Sequence, residues 1–397
     1  LQQSLARVLR ASLDAARARD RGLPFATDPA ERDRLFAIGP AMILPVTAAE
    51  ARPDFTTAFD LGTVQGDVTL PTDEALKLAA TIEAIDWASL RGMRGPSLDL
   101  DTPLGRVVVR DADAQTYTED ALPRALVVID LGGDDTYEAP VAANSDSDNS
   151  VSVLVDLAGA DTYGYRTVAS PLDRMDLLPS DRGGRARTST AGVVPSVSRT
   201  GRQGSARLGV ALHYDLGASN DRYRSLRMSQ GFASMGVGGL YDDGGDDEYT
   251  LEAGGQGAAV VGLAALVDAG GNDRYTAWAF AEGVAYVRGV GMLYDRDGRD
   301  TYDSKQTPVL YVSPQNPMTN SSFTQGAGFG RRGDAAPDRI SMSGGIGVLR
   351  DRVGDDQYST SIFGQGTGYW GAMGLLLDGA GDDTYDGRWY VQAGIAH

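Results

Sequence analysis

Asp130 and Asp135 stand five residues apart, with Gly133 between them and Tyr137 two residues beyond. The same Asp-x-x-Gly-x-Asp-x-Tyr phrase returns seven more times, once with a residue inserted and the glycine lost. The first positions are Asp130, Asp156, Asp215, Asp242, Asp268, Asp295, Asp351 and Asp378. The second are Asp135, Asp161, Asp221, Asp247, Asp273, Asp300, Asp356 and Asp383. Short carboxylates flanking a glycine turn have two chemical uses. They accept backbone N–H groups of the turn, or they offer hard oxygens to a cation such as calcium, which takes six to eight of them. Carboxylates repeated in stacked turns repel one another unless an ion or a proton compensates. All sixteen aspartates are therefore candidate Ca2+ ligands, with backbone bonding alone and protonation as the competing readings.

The elements that position these residues follow from the interval. Successive first-position aspartates lie 26, 59, 27, 26, 27, 56 and 27 residues apart. Gln203, Gln230, Gln256, Gln325, Gln365 and Gln392 hold an equivalent place after the tyrosine, with Glu282 in one unit. Measured from them, the two long intervals are ordinary units carrying insertions, at 164–202, 303–324 and 331–345. Each unit has an apolar strand ending in Asp, a tight turn, an extended piece starting at Tyr, and a Gln-Gly bend. Such units with loop-confined insertions predict a mainly β chain, a parallel β-helix-like solenoid of 26–27 residues per unit. An antiparallel meander is the competitor, because Asp-Gly turns also close hairpins. Tyrosines and glutamines would each stack into ladders. Residues 105–117 have the shape of a degenerate first unit.

Residues 1–104 lack the phrase and read as a helical cap on the array at 105–397. Leu5, Val8, Leu9 and Leu13 form one stripe, Asp28-Pro29 signals a second helix ending near Gly39, and Thr72–Arg91 predicts another.

Gly133–Tyr137 and Gly271–Tyr275 resemble the Gly-x-Asp-x-apolar half of the calcium-binding nonapeptides of secreted RTX toxins and proteases. The resemblance covers about five residues per unit, without the leading Gly-Gly and at a longer period. It implies a parallel β-roll with calcium between turns in an exported protein.

The totals narrow the function. There are 36 basic and 54 acidic residues, a net charge of -18, and only 9 of the acids are Glu. That sign argues against nucleic acid, which needs concentrated Lys and Arg. No apolar run is long enough to span a membrane. Cysteine is absent, which excludes disulfides and thiol catalysis. The histidines are His213, inside the apolar strand ALHYD and read as a core residue, and His397. Neither a His-rich zinc cluster nor a Ser-His-Asp signature is present. Asn320-Ser321-Ser322 meets the glycosylation pattern.

The leading expectation is a secreted or cell-surface structural or adhesive scaffold, calcium-stabilised and self-associating through its ends, and not an enzyme. The array breaks off within a unit at His397, which anticipates a continuation or a covering neighbour. The alternative is a polysaccharide-active solenoid, a lyase or glycoside hydrolase, or a carbohydrate-binding module. Its groove would be bordered by Arg182, Arg185, Arg187, Lys305, Arg331 and Arg332, with Tyr369, Trp370, Trp389 and Tyr390 as a sugar platform.

Overall fold

A computed structural model describes residues 1–43, 58, 62, 65–165, 195–196, 198–334 and 339–389. Arg182, Arg185, Arg187, Tyr390, Gln392 and His397 lie outside these.

The front section contains three helices among the described residues: α1 (Gln2–Gly22), α2 (Pro29–Ile43) and α3 (Thr69–Glu83). The α2 start is the expected one, with Asp28 Oδ1 accepting the Ala30 N–H at 2.9 Å. It runs past Gly39 to Ile43. The third helix is shorter than its apolar pattern suggested. It stops at Glu83, and a short 3-10 turn, Trp87–Ser89, follows. There Trp87 buries its ring and donates its indole N–H to the Ile82 carbonyl at 2.9 Å.

The remainder is a sequentially repeating, solenoid-like array of parallel sheets. A ten-stranded sheet collects the strands that run into the first aspartates, and a nine-stranded sheet collects those that carry the tyrosines. A six-stranded sheet follows the Gln-Gly bends. We call them the Asp, Tyr and third sheets. Register is strict: Asp215 pairs with Asp242, Asp242 with Asp268, and Asp268 with Asp295. Parallel pairing between units excludes the meander. The one antiparallel pair of the Asp sheet is Leu98–Thr102 against Gly105–Arg110, a hairpin at its N-terminal edge.

Close stacking explains the glycine at the turn. Gly271 has φ 153°, and a Cβ there would fall 1.4 Å from the Gly245 carbonyl oxygen of the preceding coil.

The helices cover two faces. Val8 and Ala15 of α1 and Leu78 and Ile82 of α3 bury the outer face of the first Asp-sheet strands, against Val127, Val153 and Leu212. Leu35 and Met42 of α2 pack on Leu208, Phe232 and Met235 beside the third sheet. The described parts of the insertions lie down on the same flank. Glu252 accepts hydrogen bonds from Tyr311 Oη at 3.2 Å and from the Ser196 backbone N–H. Arg227 donates to the Ser196 and Pro40 carbonyls, tying one insertion to α2.

Candidate cation column

The Asp-strand ends against the turn, and the Tyr-strand begins just beyond it, so both aspartates of a unit face the solenoid interior. From Asp130 to Asp356 none is more than 2% exposed. Asp378 and Asp383, in the last coil, are partly exposed. The structure therefore brings the predicted residues together as two adjacent columns along the array.

The two columns differ in bonding. A first-position Asp uses Oδ1 to accept the N–H two residues on, as Asp242 does from Gly244 at 2.8 Å and Asp268 from Gly270 at 2.9 Å. Its Oδ2 accepts a phenol from the preceding coil: Tyr137 to Asp156 at 2.5 Å, Tyr249 to Asp268 at 2.7 Å and Tyr302 to Asp351 at 2.7 Å. A second-position Asp turns Oδ1 to the preceding coil's backbone. Asp221 N–H donates to Asp247 at 2.6 Å, Asp247 N–H to Asp273 at 2.7 Å, and Asp300 N–H to Asp356 at 2.8 Å. Asp221 joins this ladder despite its extra residue, so the expansion is absorbed in the turn.

That leaves one oxygen over. Oδ2 of Asp135, Asp221, Asp247, Asp273, Asp300 and Asp356 is buried and accepts from no N–H or phenol, while the Asp135, Asp247, Asp273, Asp300 and Asp356 carboxyls stand at hydrogen-bonding distance from those of Asp130, Asp242, Asp268, Asp295 and Asp351. The carboxyl groups themselves cluster with the neighbouring first-position carboxylates. One oxygen from each of Asp221, Asp242 and Asp247 lies within 4.8 Å of the others, and the same holds for Asp247, Asp268 and Asp273, and for Asp273, Asp295 and Asp300. Calcium binds oxygen at about 2.3–2.6 Å, which puts ligands across an ion about 5 Å apart. Hard anionic oxygens at that separation fit the ion. Each coil contributes two carboxylates, so one dication per coil would neutralise the column.

Without compensation the charge is costly. Burial, then the neighbouring carboxylates, pushes the second-position acids up: to about 8 at Asp135 and Asp161, about 9 at Asp221 and about 10 at Asp273. Asp156, Asp242 and Asp295 of the first position rise well above the ordinary range, mainly through burial.

The tyrosines behind the column stack as expected. Nine rings from Tyr117 to Tyr385 follow one another at 4.6–5.0 Å, no more than 15° from parallel. From Tyr117 to Tyr302 their hydroxyls hold Oδ2 of the first column, a link that spacing alone did not reveal. The glutamines do not bond one another. Gln230 Nε2 donates to the Tyr223 and Thr250 carbonyls at 3.0 and 3.1 Å, holding its own backbone in the left-handed region at φ 55°. Gln203, Gln256, Gln325 and Gln365 share that φ sign, as does Glu282. The recurrent following glycine was the available signal. Burial raises Glu282 to about 8, and Ser304 Oγ donates to it at 3.0 Å.

The other candidates separate from this column. His213 is a core residue, fully buried in the column of Leu154 and Leu240 and edge-on to Tyr163, with burial lowering its pKa to about 3. Asn320 is fully buried, its Oδ1 accepting the Leu310 and Tyr311 N–H groups, so this triplet is structural rather than a sugar acceptor. Tyr369 and Trp370 stand under the Arg332 guanidinium, which also donates to Tyr369 Oη at 2.5 Å. Trp389 is 47% exposed. Lys305 pairs with Asp303.

No helix among the described residues is long and apolar enough to cross a membrane. Comparisons with protein-family models, with curated proteins and with solved structures found no match to this chain.

Proposed function

We propose that this chain is a secreted or cell-surface scaffold, a β-solenoid stiffened by a column of Ca2+ ions between successive Asp turns. The observation that carries the reading is the row of buried Oδ2 atoms that no N–H or hydroxyl satisfies, in acids clustered with further carboxylates. An interior of this kind favours an environment where calcium is plentiful, which is the extracellular one. With ions in place, the coils are joined by metal bonds as well as by sheet hydrogen bonds, and the array resists bending and proteolysis. Loops and insertions are then presented from a rigid support.

Asp247→Asn tests the reading through the sign of its effect. The amide keeps the shape and the acceptor for Asp221 N–H but removes one charge. In calcium the substitution should lower the melting temperature and remove ion binding at that step, measured by calorimetry on chelator-stripped protein. In chelator it should raise the melting temperature, since a carboxyl that is ionised in the unfolded chain and must take up a proton to be buried is gone. Stabilisation under both conditions, with no calcium heat in either protein, would assign the column to protons and defeat the calcium reading.

A further inference from the structure

One side chain in the row of Gln-Gly bends has the opposite chemistry to its neighbours. Each described glutamine of the row aims Nε2 at two backbone carbonyls, one on the Tyr strand of its own coil and one on the next. Glu282 stands among them with the same left-handed backbone, φ 60°, but a carboxylate has no N–H to give. The carbonyls at its place are, by register, those of Tyr275 and Asp303. Acceptors therefore face acceptors where the other coils put a donor. Glu282 is fully buried. Its Oε2 accepts from Ser304 Oγ at 3.0 Å, and its Oε1 has no hydrogen-bond partner. Gln325 lies beside the carboxylate, but its two amide protons go to the Tyr302 and Ser359 carbonyls at 3.0 and 2.8 Å. A buried charge needs a counter-charge.

We infer that a monovalent cation, sodium, is held between the Glu282 carboxylate and the Tyr275 and Asp303 carbonyls, in the place of the amide nitrogen of the other coils. Three observations select it. The hydroxyls favour an ionised acid. Ser304 Oγ stands 2.6 Å from Thr324 Oγ1, which stands 3.0 Å from Thr360 Oγ1, and all three side chains are fully buried. Each hydroxyl has one proton, so the chain can order with every proton toward Glu282, which favours the charged form and leaves Oε1 to a cation. The coil of Glu282 also has room. In the preceding coil Leu251 lies over Gly255, where a Cβ would fall 2.5 Å from Leu251 Cδ2. Ala277 and Ala281 take those two places, packed against Leu251. Four side-chain carbons become two, which opens a space on the order of one water, ~30 Å3, beside Ser304, the register partner of Ala277. The charge sets the valence. The Asp303 side chain turns outward to Lys305 and Ser359, so one negative charge among neutral oxygens calls for one positive charge. Sodium has nearly the radius of calcium, which binds oxygen at about 2.3–2.6 Å, and so fits between oxygens of coils about 4.8 Å apart. This site is separate from the Asp column and stands without it.

Thermal unfolding of the full chain tests it, with sodium chloride set against tetramethylammonium chloride at constant ionic strength and neutral pH. A chelator supplied as its tetramethylammonium salt keeps calcium out, so the result does not depend on whether the Asp turns bind it. The melting temperature of the wild type should climb with the logarithm of sodium concentration. That of Glu282→Gln should not, so the advantage its amide has in tetramethylammonium narrows as sodium rises. Ala277→Leu copies the side chain of the preceding coil and keeps the acid, and it too should lose the sodium response. A wild type that melts alike in the two salts would overturn the inference and leave Glu282 protonated. A sodium response that persists in Glu282→Gln would overturn it as well, by placing the ion elsewhere.

Discussion

Tyr249 donates its phenolic proton to Asp268 of the following coil at 2.7 Å, while its ring stacks on Tyr275 of that same coil at 4.8 Å. One side chain thus joins the apolar core to the carboxylate column. Tyr249→Phe keeps the stack and strips one donor from a buried carboxylate. A loss of about 1–3 kcal/mol is expected, measured by urea unfolding in calcium. An unchanged midpoint would mean that the phenol does not support the column.

Removal of calcium should expose an unusual pH dependence. The second-position carboxyls titrate higher in the fold, at about 8 for Asp161 and about 9 for Asp221, than in the unfolded chain at about 3.9. A raised carboxyl pKa stabilises the fold below the unfolded value and loses that contribution as pH climbs through the folded one. In chelator, the melting temperature should therefore fall from about pH 7 to about pH 9. His213, lowered to about 3, is neutral in both states across that window. Calcium should flatten the slope, because an occupied column holds its carboxylates ionised. A chelator profile that is flat or rises would contradict the buried-charge account.

Glu282 interrupts the row of glutamines between Gln256 and Gln325. Gln256 Nε2 donates to the Tyr249 and Thr276 carbonyls at 3.3 and 3.4 Å. By register, the same donor at position 282 would reach the Tyr275 and Asp303 carbonyls. Glu282→Gln should stabilise the protein by about 1 kcal/mol at neutral pH and by more above the Glu282 pKa of about 8. Thermal melts on both sides of that pH check it, and destabilisation would show that the acid itself is required there.

Two glycines with left-handed φ should behave differently on substitution. At Gly271 a Cβ collides with the Gly245 carbonyl, whereas at Gly92, φ 75°, nothing lies within 4 Å. Gly271→Ala should cost more than about 4 kcal/mol or abolish folding. Gly92→Ala should cost about 1 kcal/mol, from backbone strain alone. Similar losses at both would mean that coil stacking does not dictate the turn glycine.

Much of the array was legible because its residues are tied to a period. Asp242, Asp268 and Asp295 recur every 26–27 residues, and a parallel sheet is the arrangement in which such recurrence becomes register. Asp221 was legible too, as the counterpart after a one-residue expansion, and the backbone ladder adds that the extra residue is absorbed in the turn. The left-handed glutamines were not legible, because glutamine has no intrinsic preference for that conformation and adopts it here through two bonds to carbonyls distant in sequence. The extent of helix cover on the Asp sheet was hidden for another reason. Strands such as Val290–Asp295 are apolar on both sides, so their pattern does not distinguish a face covered by helices, as at Val210, from an uncovered one, as at Ile346. The helix stop at Glu83 depends on Trp87 folding back to the Ile82 carbonyl, a tertiary choice that periodicity does not encode.

The most direct measurement is the metal content of natively purified protein, by inductively coupled plasma mass spectrometry after loosely held ions are stripped on a chelating resin. The column predicts calcium retained at about one ion per buried Asp pair, as two carboxylates per coil require. It also predicts a large drop in melting temperature once unfolding and refolding in chelator remove those ions. Protein that emerges metal-free and equally stable in chelator would contradict the claim, leaving shared protons to hold the paired aspartates together.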